Sequence, residues 1–334
     1  VSDHHVPSTK TIPSTRQETT KINKIAMIAP LNGSNQNLGN ALIDAGFLAL
    51  LQSKKNISIM VIDSAVEQKT LKANIQKAID DNVKIFVGPV FADDTNLVSS
   101  MVKNKDIIVL SFSNDSSLAG TGVYLMGFLP ETYVNKVVDH ASVKGIYDFY
   151  SLLPAGKYGN IIKNSLTKLS NKEHIFLIDS EDYDDKNLSI SLEQITSSMK
   201  DNQNKKALVI SDKGKSFKAI RDVLSDAYLS ERNIKLINLA GFSDEEIAKY
   251  QSDNIWFIGS ETESSKNLNQ IFEGKYPYNT LKLMNLAYDG VTLASTIKSS
   301  KDLKNTRGFN GINGFFRFDK NGLIEREVKI LGDE

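Results

Sequence analysis

Gly88-Pro89-Val90-Phe91 and Ser111-Phe112-Ser113-Asn114 each follow a run of apolar, mostly β-branched residues, Ile85-Phe86-Val87 and Ile107-Ile108-Val109-Leu110. Both runs stop abruptly in small or polar residues. Such near-continuous apolar runs are strands of a parallel sheet buried on both faces. Ligands bind these sheets at the carboxyl ends of their strands. Val90, Phe91, Ser111, Ser113 and Asn114 are therefore candidate ligand contacts. Hydroxyls, an amide and apolar surface at these points favour capture of a small molecule over bond-breaking chemistry.

Gly33-Ser34-Asn35-Gln36-Asn37-Leu38-Gly39 follows another strand, Ile25 to Ala29. It lacks the spacing of a dinucleotide-binding loop. It serves equally as a polar ligand loop, with Ser34 and Asn37 as donors, or as a helix-capping segment. Val209 to Ser216 ends like a phosphate loop in Gly-Lys-Ser, but Val209 stands where the first glycine is needed, so it reads as a βα turn with a helix from Ser216. Asp179, Glu181, Asp182, Asp184 and Asp185 crowd one predicted loop. Neither register from Asp179 or Asp182 supplies both the glycine and the acid of a calcium loop, so the segment reads as solvated. There is no G-x-S-x-G, and His140 and His174 fall on a helix and at a strand start, away from strand ends. No enzyme activity, metal or cofactor is expected. His4-His5 lies in the N-terminal tail and reads as solvated.

The composition agrees with capture. Lys+Arg and Asp+Glu both number 40, so no net charge draws the chain to nucleic acid or an anionic membrane. No apolar run approaches the ~20 residues that span a bilayer. The absence of cysteine excludes disulfides, a thiolate metal site and a cysteine nucleophile within these residues. Eight of the first twenty residues are Ser or Thr, with Pro7 and Pro13 among them, so residues 1–22 read as a disordered tether. No signal peptide is recognisable, and the chain reads as mature or trimmed.

The elements that position these segments alternate from Lys24 onward. Leu42, Ala45, Leu48 and Ala49 form a helical face, Ile57 to Ile62 a strand, and Leu71, Ile75, Ala78 and Ile79 the next helix. After Val123 to Met126 the chain crosses at Gly127-Phe128-Leu129-Pro130, and the rhythm restarts. Strands are expected at Tyr147 to Leu153, Ile175 to Ile178, Ala207 to Ile210, Ile234 to Leu239 and Ile255 to Ile258. The pattern predicts an α/β fold of two doubly wound lobes. A helix from Leu281 to Ile297 follows. Phe315 to Phe318 and Leu323 to Ile330 flank Asn321-Gly322, a hairpin signal that predicts an added sheet edge.

The segments Ile28-Ala29-Pro30-Leu31-Asn32-Gly33, Val87 to Phe91, Val109 to Asn114, Lys157-Tyr158-Gly159, Ala287-Tyr288-Asp289-Gly290 and Gly311 to Phe318 occur in an order that resembles the type I periplasmic binding proteins, leucine/isoleucine/valine-binding branch. The wording Gly88 to Ala92 and Ser111 to Asp115 resembles a lipoprotein subgroup of that fold. Its members are described as branched-chain amino-acid transport components or as penicillin-binding-protein activators. The resemblance covers Lys24 to Leu331. It implies two Rossmann-like lobes closing like a Venus flytrap, joined by crossovers at Gly127 to Pro130, Gly259 to Thr262 and Asn310 to Gly314. Lobe 1 would comprise 23–128 plus 260–311, and lobe 2 would comprise 129–259 plus 312–334. It also implies a Tyr158 ligand contact, where core packing is an equal reading, and contacts near Phe242 and Ser243. The family's ammonium-binding acid has no counterpart from Ala240 to Ser243, and Val90-Phe91 replaces a small hydroxyl residue. The implied function is an extracytoplasmic solute-binding protein with a membrane permease as partner. The alternative is an envelope lipoprotein contacting a peptidoglycan synthase. Either would be periplasmic and tethered.

Overall fold

The computed structural model describes residues 24–199, 203–259, 261–304 and 307–333. The expected tether and His4-His5 lie outside the described residues. In the first sheet β1 (Lys24–Ala29), β2 (Ser58–Asp63), β3 (Ile85–Val87), β4 (Ile108–Ser111) and β5 (Val123–Leu125) pair in parallel in the order β2-β1-β3-β4-β5. β3 and β4 are wholly buried, as their unbroken apolar runs require. α1 (Gln36–Ser53), α2 (Gln68–Asp80) and α3 (Ala92–Val102) follow β1, β2 and β3. α2 turns Leu71, Ile75 and Ala78 inward at the i, i+4, i+7 spacing of one helical face. Burying a side chain such as Phe86 contributes about 1.5–3 kcal/mol.

The second sheet has the order β14-β10-β9-β8-β6-β7. Its parallel part is built from β6 (Asp148–Pro154), β7 (Phe176–Tyr183), β8 (Lys206–Ile210), β9 (Ile234–Asn238) and β10 (Ile255–Gly259). The connecting helices are α4 (Pro130–Val143), α5 (Lys157–Asn171), α6 (Leu188–Ser198), α7 (Gly214–Val223), α8 (Asp226–Glu231) and α9 (Asp244–Tyr250). β7 is longer than expected and carries Asp179, Glu181 and Asp182, so these acids line an edge strand rather than a loop. Only one long side of β7 is paired, and Phe176 and Ile178 on it are also exposed.

The chain then returns to the first lobe through α10 (Glu263–Ile271) and α11 (Tyr278–Ala294), with α12 (Ser300–Leu303) after them. α11 packs along α1, and Gly290 lets it approach Val87 and Phe112 closely.

The C-terminal hairpin corrects two expectations. β11 (Phe309–Gly311), β12 (Gly314–Phe318) and β13 (Ile324–Arg326) form a separate antiparallel sheet. Phe316, Phe318 and Ile324 join the first lobe's core, Tyr124 meets Phe318 edge-on at 5.3 Å, and Leu323 bridges Leu125. Asn310 to Gly314 therefore belongs to the β11–β12 hairpin and its Ile312-Asn313 turn, not to a crossover, and Phe316, Phe318 and Ile324 pack with lobe 1. The third crossing is at Glu327-Val328. The added edge comes from β14 (Lys329–Leu331), antiparallel to β10. Leu323 to Ile330 gives no sign of a break because hydropathy does not record which of two cores an apolar residue enters.

Candidate functional site

In both sheets the strand order reverses next to a first strand: between β1 and β3, and between β6 and β8. The loops after these four strands form the crevice where such folds take ligands.

On the first lobe the polar strand ends are occupied by their own chain. Ser111 is fully buried; its Oγ donates to the Pro89 carbonyl at 3.1 Å, lies 2.8 Å from Thr95 Oγ1 and accepts from the Ser113 N–H at 3.1 Å. Ser113 is buried too, and its Oγ accepts from the Asp115 N–H at 3.2 Å. These bonds tie the β3 and β4 ends together. Gly88 has φ +93°, and a Cβ there would lie 2.3 Å from the Ile28 carbonyl oxygen, so only glycine lets the loop pass so close to β1. Val90 packs at the edge of the core, whereas Phe91, Ser34, Asn37 and Asn114 are exposed. The capping alternative for Gly33 to Gly39 is not realised: Asn32 and Asn35 hold the cap positions without a side-chain cap bond.

The second lobe's strand ends reach outward. Tyr158, after β6, is 37% exposed and hydrogen-bonds Ser211, after β8. Burial pushes its phenol above the ordinary value, as does the Glu131 carboxylate, while Ser211 pulls it down. Beside it, Lys157 reaches Asp115 of the first lobe at 2.9 Å, bringing the Asn114 and Tyr158 segments together. Lys213, at the start of α7, pairs with Glu246 at 3.1 Å and lies over the rings of Phe242 (4.7 Å) and Tyr278 (5.4 Å). Phe242 itself is buried among Phe217, Tyr250 and Phe257. Ser243 closes a capping box with Glu246. Ser111 and Phe242 are thus core residues of their own lobes, and the Ser113 and Ser243 hydroxyls are spent locally. These four expected contacts do not present free groups to the crevice.

The floor between the lobes holds groups that sequence reasoning missed. Lys282, Asn285 and Asp289 fall on one face of α11 at i, i+3 and i+7. Lys282 Nζ lies beside Gly241, where a Cβ would be 2.4 Å from it, and 4.5 Å from the Phe128 ring centroid. Burial pushes this ammonium down to about 8, helped by the positive charges of Lys213 and Arg326 and opposed by Glu261. Burial likewise pushes Asp289 up to about 6, against the Ile312 N–H at 2.7 Å and the Arg326 charge. Arg326, on β13, is 7% exposed and donates through Nη2 to the Met126 carbonyl at 2.7 Å. Asn285 donates to Asn313 Oδ1 at 3.3 Å. Six atoms of this cluster are buried without a protein partner: Tyr133 Oη, Asn285 Oδ1, Asp289 Oδ2, Asn313 Nδ2 and Arg326 Nε and Nη1. Such unspent polar capacity is uncommon in folded interiors. A lysine inside the apolar run Leu281-Lys282-Leu283-Met284 was the available sequence signal.

The LppC putative lipoprotein family matches residues 8–219, well over half of the chain, and the chain belongs to that family. An uncharacterized protein of Rickettsia prowazekii (strain Madrid E) is 28% identical over 167 residues, covering 48% of this chain and 43% of that protein. Full-length LpoA from Haemophilus influenzae is similar in fold, with a TM-score of 0.70 at 16% identity over 93% of this chain and 57% of LpoA. The chain thus spans about half the length of these two proteins. The LpoA C-domain alone, described as a regulator of PBP1A, aligns with a TM-score of 0.68 at 16% identity over 92% of this chain and 96% of the domain. A putative branched-chain amino acid ABC transporter protein from Rhodospirillum rubrum aligns with a TM-score of 0.72 at 13% identity over 92% and 96%. The fold is that of the two-lobed type I periplasmic binding proteins, and the neighbours named here are binding or regulatory proteins.

Proposed function

We propose that this LppC-family chain is an extracytoplasmic envelope lipoprotein that regulates a peptidoglycan synthase of the penicillin-binding-protein class, rather than a carrier of free amino acids. The observation that carries this reading is the Lys282 ammonium beside Gly241. An amino-acid binder of this fold needs a carboxylate there for the ligand's ammonium. Here a second cation occupies the place, and bringing two cations together away from water costs several kcal/mol. The likeness to the whole LpoA C-domain supports the same reading.

A second reading rests on the same residue. Lys282 Nζ has no hydrogen-bond acceptor or ion-pair partner among the described residues. Lobe closure on an anionic ligand would supply one, with Lys213 and Tyr158 on the facing lobe.

Two measurements separate these readings. Calorimetric titration with leucine, isoleucine and valine should show no micromolar binding; micromolar binding of any one overturns the argument from Lys282. Immobilised protein should retain a bifunctional peptidoglycan synthase from its own organism, and retention should persist in a Lys282→Gln variant. If the synthase is not retained and a carboxylate ligand binds in a Lys282-dependent way, the carrier reading replaces the regulator.

A further inference from the structure

The opposite end of the second lobe carries a pocket that neither reading uses. It lies at the amino ends of β9 and β10, the far side of the sheet from the crevice. It has a volume of about 290 Å³ and is lined by Lys144, Lys205, Lys235, Asn233, Trp256 and Asp333, among others. Trp256 is 1% exposed, and its indole N–H is buried without an acceptor. Lys235 Nζ stands 5.3 Å from the Trp256 ring centroid and donates to the Asp253 carbonyl. Lys205 Nζ donates to the Lys144 carbonyl at 3.3 Å. Asp333 is held by Lys144 at 2.9 Å and by His140 at 2.6 Å, and His140 packs edge-on against Trp256 at 4.8 Å.

We propose that this pocket binds a small phosphate monoester, with the ammonium groups of Lys144, Lys205 and Lys235 facing the phosphate and the Trp256 indole N–H donating to it. Three ammonium groups line the pocket against one lining carboxylate, with the Asp253 carboxylate acting on Lys235 from outside it, and the positive balance favours an anion. The volume is at the lower limit for a small-molecule site, which fits a compact ligand. An indole donor buried without a partner loses the water it would otherwise bond, and an oxyanion restores that bond. Burial holds the Lys235 ammonium below its ordinary value; the Asp333 and Asp253 carboxylates oppose this, and the Lys144 and Lys205 charges add to it, so an anion among the three ammonium groups offsets part of the lost hydration.

Trp256 is the one tryptophan of the chain, so its fluorescence reports the pocket directly. The protein is titrated with glycerol 3-phosphate at constant ionic strength, with sodium chloride and phosphatidylglycerol vesicles as parallel arms. The expected result is a saturable spectral change with half-saturation at or below about 1 mM. In a Lys144→Gln/Lys205→Gln variant, both positions being exposed and safe for folding, the half-saturation point should rise about tenfold. In an Asp333→Asn variant it should fall. Absence of saturation, an unchanged curve in the double variant, or a response to chloride or vesicles but not to glycerol 3-phosphate would overturn the proposal.

Discussion

The first-lobe strand ends and the interlobe floor are both polar and both buried, yet their chemical states are opposite. Around Ser111 the hydroxyl, carbonyl and amide groups are paired within the lobe. Around Asp289 and Arg326, several donors and acceptors have no partner. Polar residues at strand ends can therefore be structural cross-ties. Capacity for a ligand, or for a second arrangement of the lobes, lies where bonding is left unspent, at the crossovers.

The sharpest way to break this contrast is Arg326→Met. If the floor were merely loose packing, the change would be mild. Because it removes the positive charge that favours the buried Asp289 carboxylate and leaves the Met126 carbonyl without its donor, we expect a loss of about 3–5 kcal/mol at neutral pH in denaturant unfolding. A loss under about 1 kcal/mol would mean that the pair is not coupled.

Asp289 gives the next largest effect, through pH. Its folded value is raised to about 6 from an unfolded value of 3.8. The folded state thus holds the proton more tightly between those values. This group's contribution to stability is greatest below pH 3.8 and is lost as pH rises through 6. The loss amounts to about 3 kcal/mol. An Asp289→Asn variant keeps a neutral group throughout, so its stability relative to the parent should improve by about that amount from pH 4 to pH 7. Unfolding curves for both proteins at the two pH values provide the check. A relative stability that does not change with pH would refute the buried-acid reading.

Ser111→Ala should cost about 1–3 kcal/mol, because Thr95 and the Ser113 N–H lose a buried partner. It should leave partner retention unchanged. A stable Ser111→Ala protein that no longer retains the synthase would return Ser111 to the functional surface.

The smallest effect is expected at the lobe-bridging pair. Lys157 is 69% exposed and Asp115 is 21% exposed, so Lys157→Ala should cost under about 1 kcal/mol and less at high salt. A larger, salt-independent loss would show that the pair governs lobe contact.

Much of the fold was legible because its two periodicities are strong. The β3 and β4 runs, the restart of the rhythm after Pro130 (the helix itself begins at Pro130) and the Asn321-Gly322 turn all correspond to observed elements. The site was less legible. Sequence shows that Ser111 and Ser243 carry hydroxyls, but not that a carbonyl, a threonine or a helix amide already engages them. It shows Phe242 in a strand-end loop, but not its partners Phe217 and Phe257. Lys282, Asp289 and Arg326 meet only because α11 and β13, some 40 residues apart in the chain, converge beneath the first crossing. Local patterning carries no trace of such a meeting. The third crossing was hidden for a related reason: Ile324 of β13 and Ile330 of β14 are alike in kind but enter different cores.

The path of α11 sets a schedule for synthesis. Strands β1 to β5 emerge first, but the helix that lies along α1 and meets Val87 and Phe112 spans Tyr278–Ala294. Every parallel strand of the second sheet is made before it. The first sheet thus waits for this helix until the parallel strands of its neighbour have been made, and until then it leaves an apolar face uncovered on the growing chain. A nascent chain stalled after Gly259 should bind a hydrophobic dye strongly and lose that binding once extended past Ala294. Equal dye binding at both lengths would show that the first sheet covers itself by other means. This interval of exposed surface is a natural point of recognition for chaperones that hold chains unfolded.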